Sequence, residues 1–148
     1  MNRISYHILG FFSLSVFCLL IAGCSDGKPR RIPVSGTVTF QNLETPETGT
    51  LYFVPITTET SGLKRPAFAV FDRSGKYAVT SFGKDKRDGL LPGKYKVYAE
   101  AFEKVPTLEE PTPKSFVPAK YSDPEQTPFT LDVPAGSGKI TKDFVIEK

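Results

Sequence analysis

Tryptophan is absent from the 148 residues, and methionine and histidine occur once each, as Met1 and His7. Cysteine occurs twice, as Cys18 and Cys24, so all four of these rare positions fall within the first 24 residues. Beyond Cys24 the chain has neither imidazole nor thiol. That removes the commonest general base and metal ligand together, any Cys/His zinc set and any Ser–His–Asp arrangement. A dominant charge is also lacking: 19 Lys and Arg against 16 Asp and Glu give +3, too mild a field to mark a nucleic-acid binder. No segment keeps a helical period, and 13 prolines and 12 glycines break the chain into short pieces.

Present instead is a leader. Asn2, Arg3 and Ser5 make a polar, positively charged start, and Ile8 to Gly23 then runs without a charge. Such a run suits the core of a signal peptide and falls short of the roughly 20 apolar residues that span a bilayer. It ends in Leu20-Ile21-Ala22-Gly23-Cys24, which resembles the lipobox of bacterial lipoproteins. The resemblance implies cleavage between Gly23 and Cys24, with 1–23 as signal peptide. It also implies a diacylglycerol on the Cys24 sulfur, with the new N-terminus often acylated as well. Two or three acyl chains hold a membrane stably, at about 0.8 kcal/mol per buried CH₂. An uncleaved anchor, or a plain secretory signal with an incidental cysteine, are the alternatives.

Residues 24–32 then read as the lipidated cysteine and a polar tether. Ser25 to Ile32, fully extended, reaches roughly 27 Å at about 3.4 Å per residue. Its Lys28, Arg30 and Arg31 can lean on anionic head groups or merely keep the linker soluble. By the sorting pattern of enterobacterial lipoproteins, Ser25 after the cysteine favours the outer membrane, with the domain in the periplasm or at the cell surface. Acylation of Cys24 would leave no disulfide to the folded part, so stability must come from an ordinary core.

Residues 33–148 carry the all-β signature of alternating segments between turns. Val34, Val38 and Phe40 alternate with polar neighbours; Leu51 and Phe53 do so in a strand that ends at Pro55. Ala67 to Phe71 is purely apolar, as expected of a strand covered on both faces. Asp72-Arg73-Ser74-Gly75 turns the chain into Lys76–Phe82, with Tyr77 and Val79 inward. Tyr95, Val97, Ala99 and Ala101 line a fifth strand, Phe129, Leu131 and Val133 a sixth, and Ile140 to Ile146 closes the chain. Seven strands at this spacing point to a Greek-key β-sandwich.

Between the fifth and sixth strands, 103–128 holds six prolines, a length that is either functional or disordered in a compact domain. Phe116 to Pro124 is expected to pack down, with one helical turn near Val117–Tyr121, while Val105 to Pro113 stays mobile. Loops on a rigid sandwich carry recognition, so whatever function exists is expected there.

Three pieces, Val34-Ser35-Gly36-Thr37-Val38, Asp72-Arg73-Ser74-Gly75-Lys76-Tyr77 and Leu91-Pro92-Gly93-Lys94-Tyr95-Lys96-Val97, resemble the carboxypeptidase regulatory-like domains. These are transthyretin-like or Ig-like sandwiches found in many short bacterial lipoproteins. Val117-Pro118-Ala119-Lys120-Tyr121 resembles a further piece common in them. The resemblance implies a fold and an envelope location and no reaction. Hydroxyisourate hydrolases related to transthyretin use His and Arg and end in Tyr-Arg-Gly-Ser, whereas this sequence ends Val145-Ile146-Glu147-Lys148. Gly-Lys-Tyr recurs at 75–77 and 93–95 for a physical reason: each turn needs Gly before a strand whose first inward residue is a large ring.

Only carboxylates remain for catalysis. Glu109-Glu110 in the Pro-rich loop and Asp85 and Asp88 in a charged turn read as solvated. No segment offers the spaced oxygens of a calcium loop, and Gly136-Ser137-Gly138-Lys139 joins two strands rather than cradling phosphate. The expectation is therefore a non-enzymatic, membrane-anchored binding or structural module with no cofactor, no metal and no nucleic-acid partner. Tyr52, Tyr98, Phe68, Phe116 and Tyr121 are the rings expected to face out, toward an envelope protein or a polysaccharide. A carbohydrate-binding module would need coplanar exposed rings. A carboxylate enzyme would need two buried acids in one pocket. An accessory subunit of a transport or secretion complex would dock through the Pro-rich loop.

Overall fold

The computed structural model describes residues 30–58, 66–81, 87–111 and 113–148. The leader, Cys24 and most of the tether lie outside the described residues, as do Phe82 and Asp85. Among the described residues eight strands form: β1 (Val34–Gln41), β2 (Thr48–Thr58), β3 (Ala67–Asp72), β4 (Lys76–Ala78), β5 (Gly93–Glu100), β6 (Thr130–Val133), β7 (Ile140–Thr141) and β8 (Phe144–Glu147). One helical turn, α1 (Ala119–Ser122), lies between β5 and β6.

The sheet order is β6-β5-β2-β3-β4-β1-β7, with β8 also on β1. Within it β2-β3-β4-β1 is a Greek-key order: two hairpin steps carry the chain to β4, and β1 lies on that far side although it precedes β2. The sheet curls until its ends meet. Phe129, just before β6, and Phe144 on β8 stand 5.0 Å apart between ring centroids, and Phe53 of β2 lies 6.5 Å from Phe144. The result is an all-β, sandwich-like fold around one core, as expected.

The inward positions are those expected from alternation: Leu51, Phe53, Tyr77, Val79, Tyr95, Val97 and Leu131 are all buried. In both Gly-Lys-Tyr pieces the tyrosine two residues after the glycine enters the core, although the glycines differ: Gly75 takes φ 74°, where an L side chain is strained, and Gly93 takes φ 150° at the start of β5. There the Tyr77 hydroxyl donates to the Lys142 carbonyl at 2.6 Å, and that of Tyr95 to the Leu91 carbonyl at 2.8 Å.

Three expectations need correction. β3 is covered on one face only: Phe68 is 42% exposed and Val70 57%. β2 does not stop at Pro55 but continues through a bulge between Pro55 and Thr57. Its pairing with β3 ends at Phe53, so among the described residues no strand on that side uses the N–H that Pro55 lacks. The closing strand splits in two, and both parts run parallel to β1. The split falls at Lys142-Asp143, where the Lys142 N–H donates to Ser35 O and Asp143 Oδ1 accepts from Thr37 N.

The segment 103–128 is not an open loop. Phe102 bridges Ser115, Glu103 N donates to Lys114 O, and Thr107 N donates to Glu110 O, which draws 102–115 into an arm that continues from β5. The rest packs down as expected, with Val117 and Tyr121 buried and α1 supplying the helical turn. Thr127 is a buried polar residue; its hydroxyl donates to Val97 O at 2.6 Å and accepts from Phe129 N at 3.2 Å.

Candidate functional site

Three surfaces offer themselves, and the strand register fixes the first. Tyr52 of β2 lies opposite Tyr98 of β5 on one side and Phe68 of β3 on the other, so the three rings form a row on the outer face. Tyr52 and Tyr98 stack on one another, with centroids 4.8 Å apart and planes 15° apart. Burial in this pair pushes both phenols up from their ordinary value, and the Glu100 carboxylate adds to the effect, so both stay neutral and able to donate. Each ring spends one face on the other. The row is therefore not a pair of coplanar platforms of the kind a carbohydrate module needs.

Next to that row is a groove of about 930 Å³ along the outer side of β3, β4 and the start of β1. Phe68, Val70 and Ala78 give it an apolar floor; Lys76, Arg87 and Lys139 stand on its rim. Its acid is Asp72, whose carboxylate accepts from the Ser74 N–H at 2.8 Å and the Ser74 hydroxyl at 2.5 Å. Those bonds, the hydroxyl one foremost, hold the Asp72 carboxyl below its usual range. Arg87 sits at φ 58°, with its N–H donating to Thr80 Oγ1 at 3.1 Å. Beside it, Asp88 accepts from Ser81 N and lies 3.5 Å from the Arg31 guanidinium. Sequence reasoning missed this groove. Its one signal was the unbroken apolar run at β3, taken for double coverage.

The arm is the third surface. At its tip Val105 is 82% exposed and Leu108 fully so. Lys104 lies 3.5 Å from Glu110 across it, and at its base Lys114 pairs with Glu44 at 3.1 Å. The arm base thus meets the chain just past the end of β1, whereas Arg31 meets Asp88 just before its start. Eight residues of strand, roughly 26 Å at about 3.3 Å each, separate the two places. Arm and tether emerge at opposite ends of the domain.

Of the five rings expected to face out toward a partner, Phe68 does so, and Tyr52 and Tyr98 share its outer face but are half-buried. Phe116 packs partly against the core with the Lys114 ammonium 5.3 Å from its ring. Tyr121 does not face out. Only 5% exposed, it stacks on Phe129 at 4.8 Å, and its hydroxyl accepts from the Glu147 N–H, closing the seam between the arm side and β8. Its value is packing, because a ring at this position fills the gap where the curled sheet meets itself. Lipidation at Cys24 and cleavage after Gly23 fall outside the described residues.

Among the described residues no group of three His, Cys, Asp or Glu side chains converges as a metal site, and no helix is long and apolar enough to cross a membrane. The chain matches no protein-family model and no curated protein sequence.

Proposed function

We propose that the protein is a lipid-anchored, non-enzymatic binding module of the bacterial envelope, held by Cys24 and engaging an envelope partner through the arm. The observation that carries this reading is the arm itself. Its backbone is hydrogen-bonded, so its apolar tip is held out on a defined support, and Val105 and Leu108 have no cover of their own. Residues beyond Cys24 supply neither histidine nor thiol, which supports binding rather than catalysis. The motif resemblance to carboxypeptidase regulatory-like domains is consistent with the all-β, sandwich-like fold.

The test has two parts. Mass spectrometry of the N-terminal peptide should find Cys24 acylated and the leader gone; an unmodified Cys24 or a retained Met1 would end the lipoprotein reading. A photo-crosslinking residue at Leu108 should give one discrete adduct in intact cells, lost in Val105→Ser. Crosslinking from Val145 with the same pattern as from Leu108 would show that the arm holds no partner.

A further inference from the structure

The groove has a different chemistry from the arm and lies where the tether arrives. Pro33 and Val34 line it, and Arg31 is tied to Asp88, the neighbour of Arg87 on the rim. From the groove, we infer that the domain rests on the membrane that holds its anchor, receiving an anionic phospholipid headgroup between Lys76, Arg87 and Lys139. This rests on the lipid-anchored reading above.

Three observations converge on that occupant. The first is charge: Lys76, Arg87 and Lys139 make no close ion pair among the described residues, and the one acid of the lining, Asp72, is hydrogen-bonded by Ser74 and acts on Lys76 only through space. Three cations against one carboxylate leave a net positive charge for a phosphate to meet. The second is the floor, where Phe68 and Val70 offer an apolar surface to the glycerol and first acyl carbons behind such a phosphate. The third is reach. The nine residues from Ser25 to Pro33 extend at most about 30 Å, so the anchor keeps the groove within that distance of the headgroups, at high effective concentration. Weak sites suffice when the ligand is a surface the protein cannot leave.

An acidic envelope polysaccharide would meet the same cations. It gives no reason, however, for the tether to emerge at the groove's rim.

The experiment uses the acylated protein, purified with its lipid and reconstituted into vesicles. Val70→Cys offers the one free thiol, because Cys18 leaves with the leader and Cys24 is capped; a fluorophore there is read by acrylamide quenching. Val145→Cys, exposed on β8, is the control. On vesicles of phosphatidylcholine with phosphatidylglycerol, quenching at Val70 should fall severalfold relative to phosphatidylcholine alone, and quenching at Val145 should not change. Replacing Lys76, Arg87 and Lys139 by Gln should restore quenching, with vesicle affinity of the docked state falling on the order of a hundredfold; raised salt should act the same way. Equal quenching at Val70 on both vesicle types, with Cys24 shown to be acylated, overturns the inference and leaves the anchor standing. Shielding by a soluble acidic polysaccharide but not by vesicles overturns it in favour of the glycan. An unacylated Cys24 removes both.

Discussion

Replacing Gly36 by alanine tests how the last strands close on the first. A Cβ at Gly36 would stand 1.8 Å from the Lys142 carbonyl oxygen and 2.7 Å from its carbon. Both are backbone atoms, so no side chain can swing away, and 142–143 must withdraw by more than an ångström. Three hydrogen bonds depend on that segment: Lys142 N to Ser35 O at 3.0 Å, Thr37 N to Asp143 Oδ1 at 2.8 Å, and the Tyr77 hydroxyl to Lys142 O at 2.6 Å. At about 1 kcal/mol net for each, the loss is about 3 kcal/mol, and the overpacking that results if the segment stays put costs about the same. For a domain of this size that lowers the thermal midpoint by roughly 10–15 °C. Two other glycines calibrate the result. Gly136, with φ 78° and open space around it, should lose about 1 kcal/mol on Gly136→Ala from backbone strain alone. Gly138 has open space and no such φ, and Gly138→Ala should be neutral or slightly stabilising. Thermal unfolding followed by circular dichroism ranks the three. Equal midpoints for Gly36→Ala and Gly138→Ala would refute the close approach of 142–143 to β1.

Val97, with no exposed surface at the centre of β5, should not tolerate Val97→Asp: an unpaired carboxylate there costs several kcal/mol, and loss of the cooperative β-sheet signal checks it. Thr127→Val keeps the volume but leaves Val97 O without its hydroxyl donor, and a destabilisation of about 1–2 kcal/mol in urea is expected. Burial pushes the Tyr95 phenol up to about 12 and that of Tyr77 higher still, both above their unfolded value of 10. Their contribution to stability is therefore complete below pH 10 and is lost as pH rises through the folded values. Alkaline unfolding should set in above pH 10, and Tyr77→Phe, though less stable at neutral pH, should show a shallower alkaline decline; identical slopes would contradict the assignment.

Much of the fold was legible because alternation with period two names its own inward face. Val97, Leu131 and Tyr77 are where that period puts them. β3 was misjudged for the converse reason: a run with no polar member carries no alternation, so although Phe68 was expected outside, nothing in Ala67 to Phe71 says that the whole Phe68–Val70 face is uncovered. Pro55 misled because a proline ends a strand only where its missing N–H would have been used, and that depends on β3 stopping opposite Phe53. The parallel direction of β7 and β8 has no local signature at all. The groove was illegible because its cations come from three separate segments, Lys76 from the start of a strand and Arg87 and Lys139 from turns, and nothing in any one of them points to the others. Gly36, by contrast, stood in plain sight within Val34–Val38. Only the crossing chain at Lys142 gives it a reason.

Because β7 and β8 lie along β1, the first strand of the domain finds its neighbours at the very end of the chain; Thr37 and Asp143 are 106 positions apart. Contacts so distant in sequence form slowly, since the loop they close must be ordered first. A chain that crosses a membrane N-terminus first would arrive with β1 lacking β8, its Val38–Gln41 edge open to any passing strand. Closure must wait until Glu147 has emerged. For a chain that crosses unfolded, the topology places the hazard of misassociation in the interval before its last residues arrive.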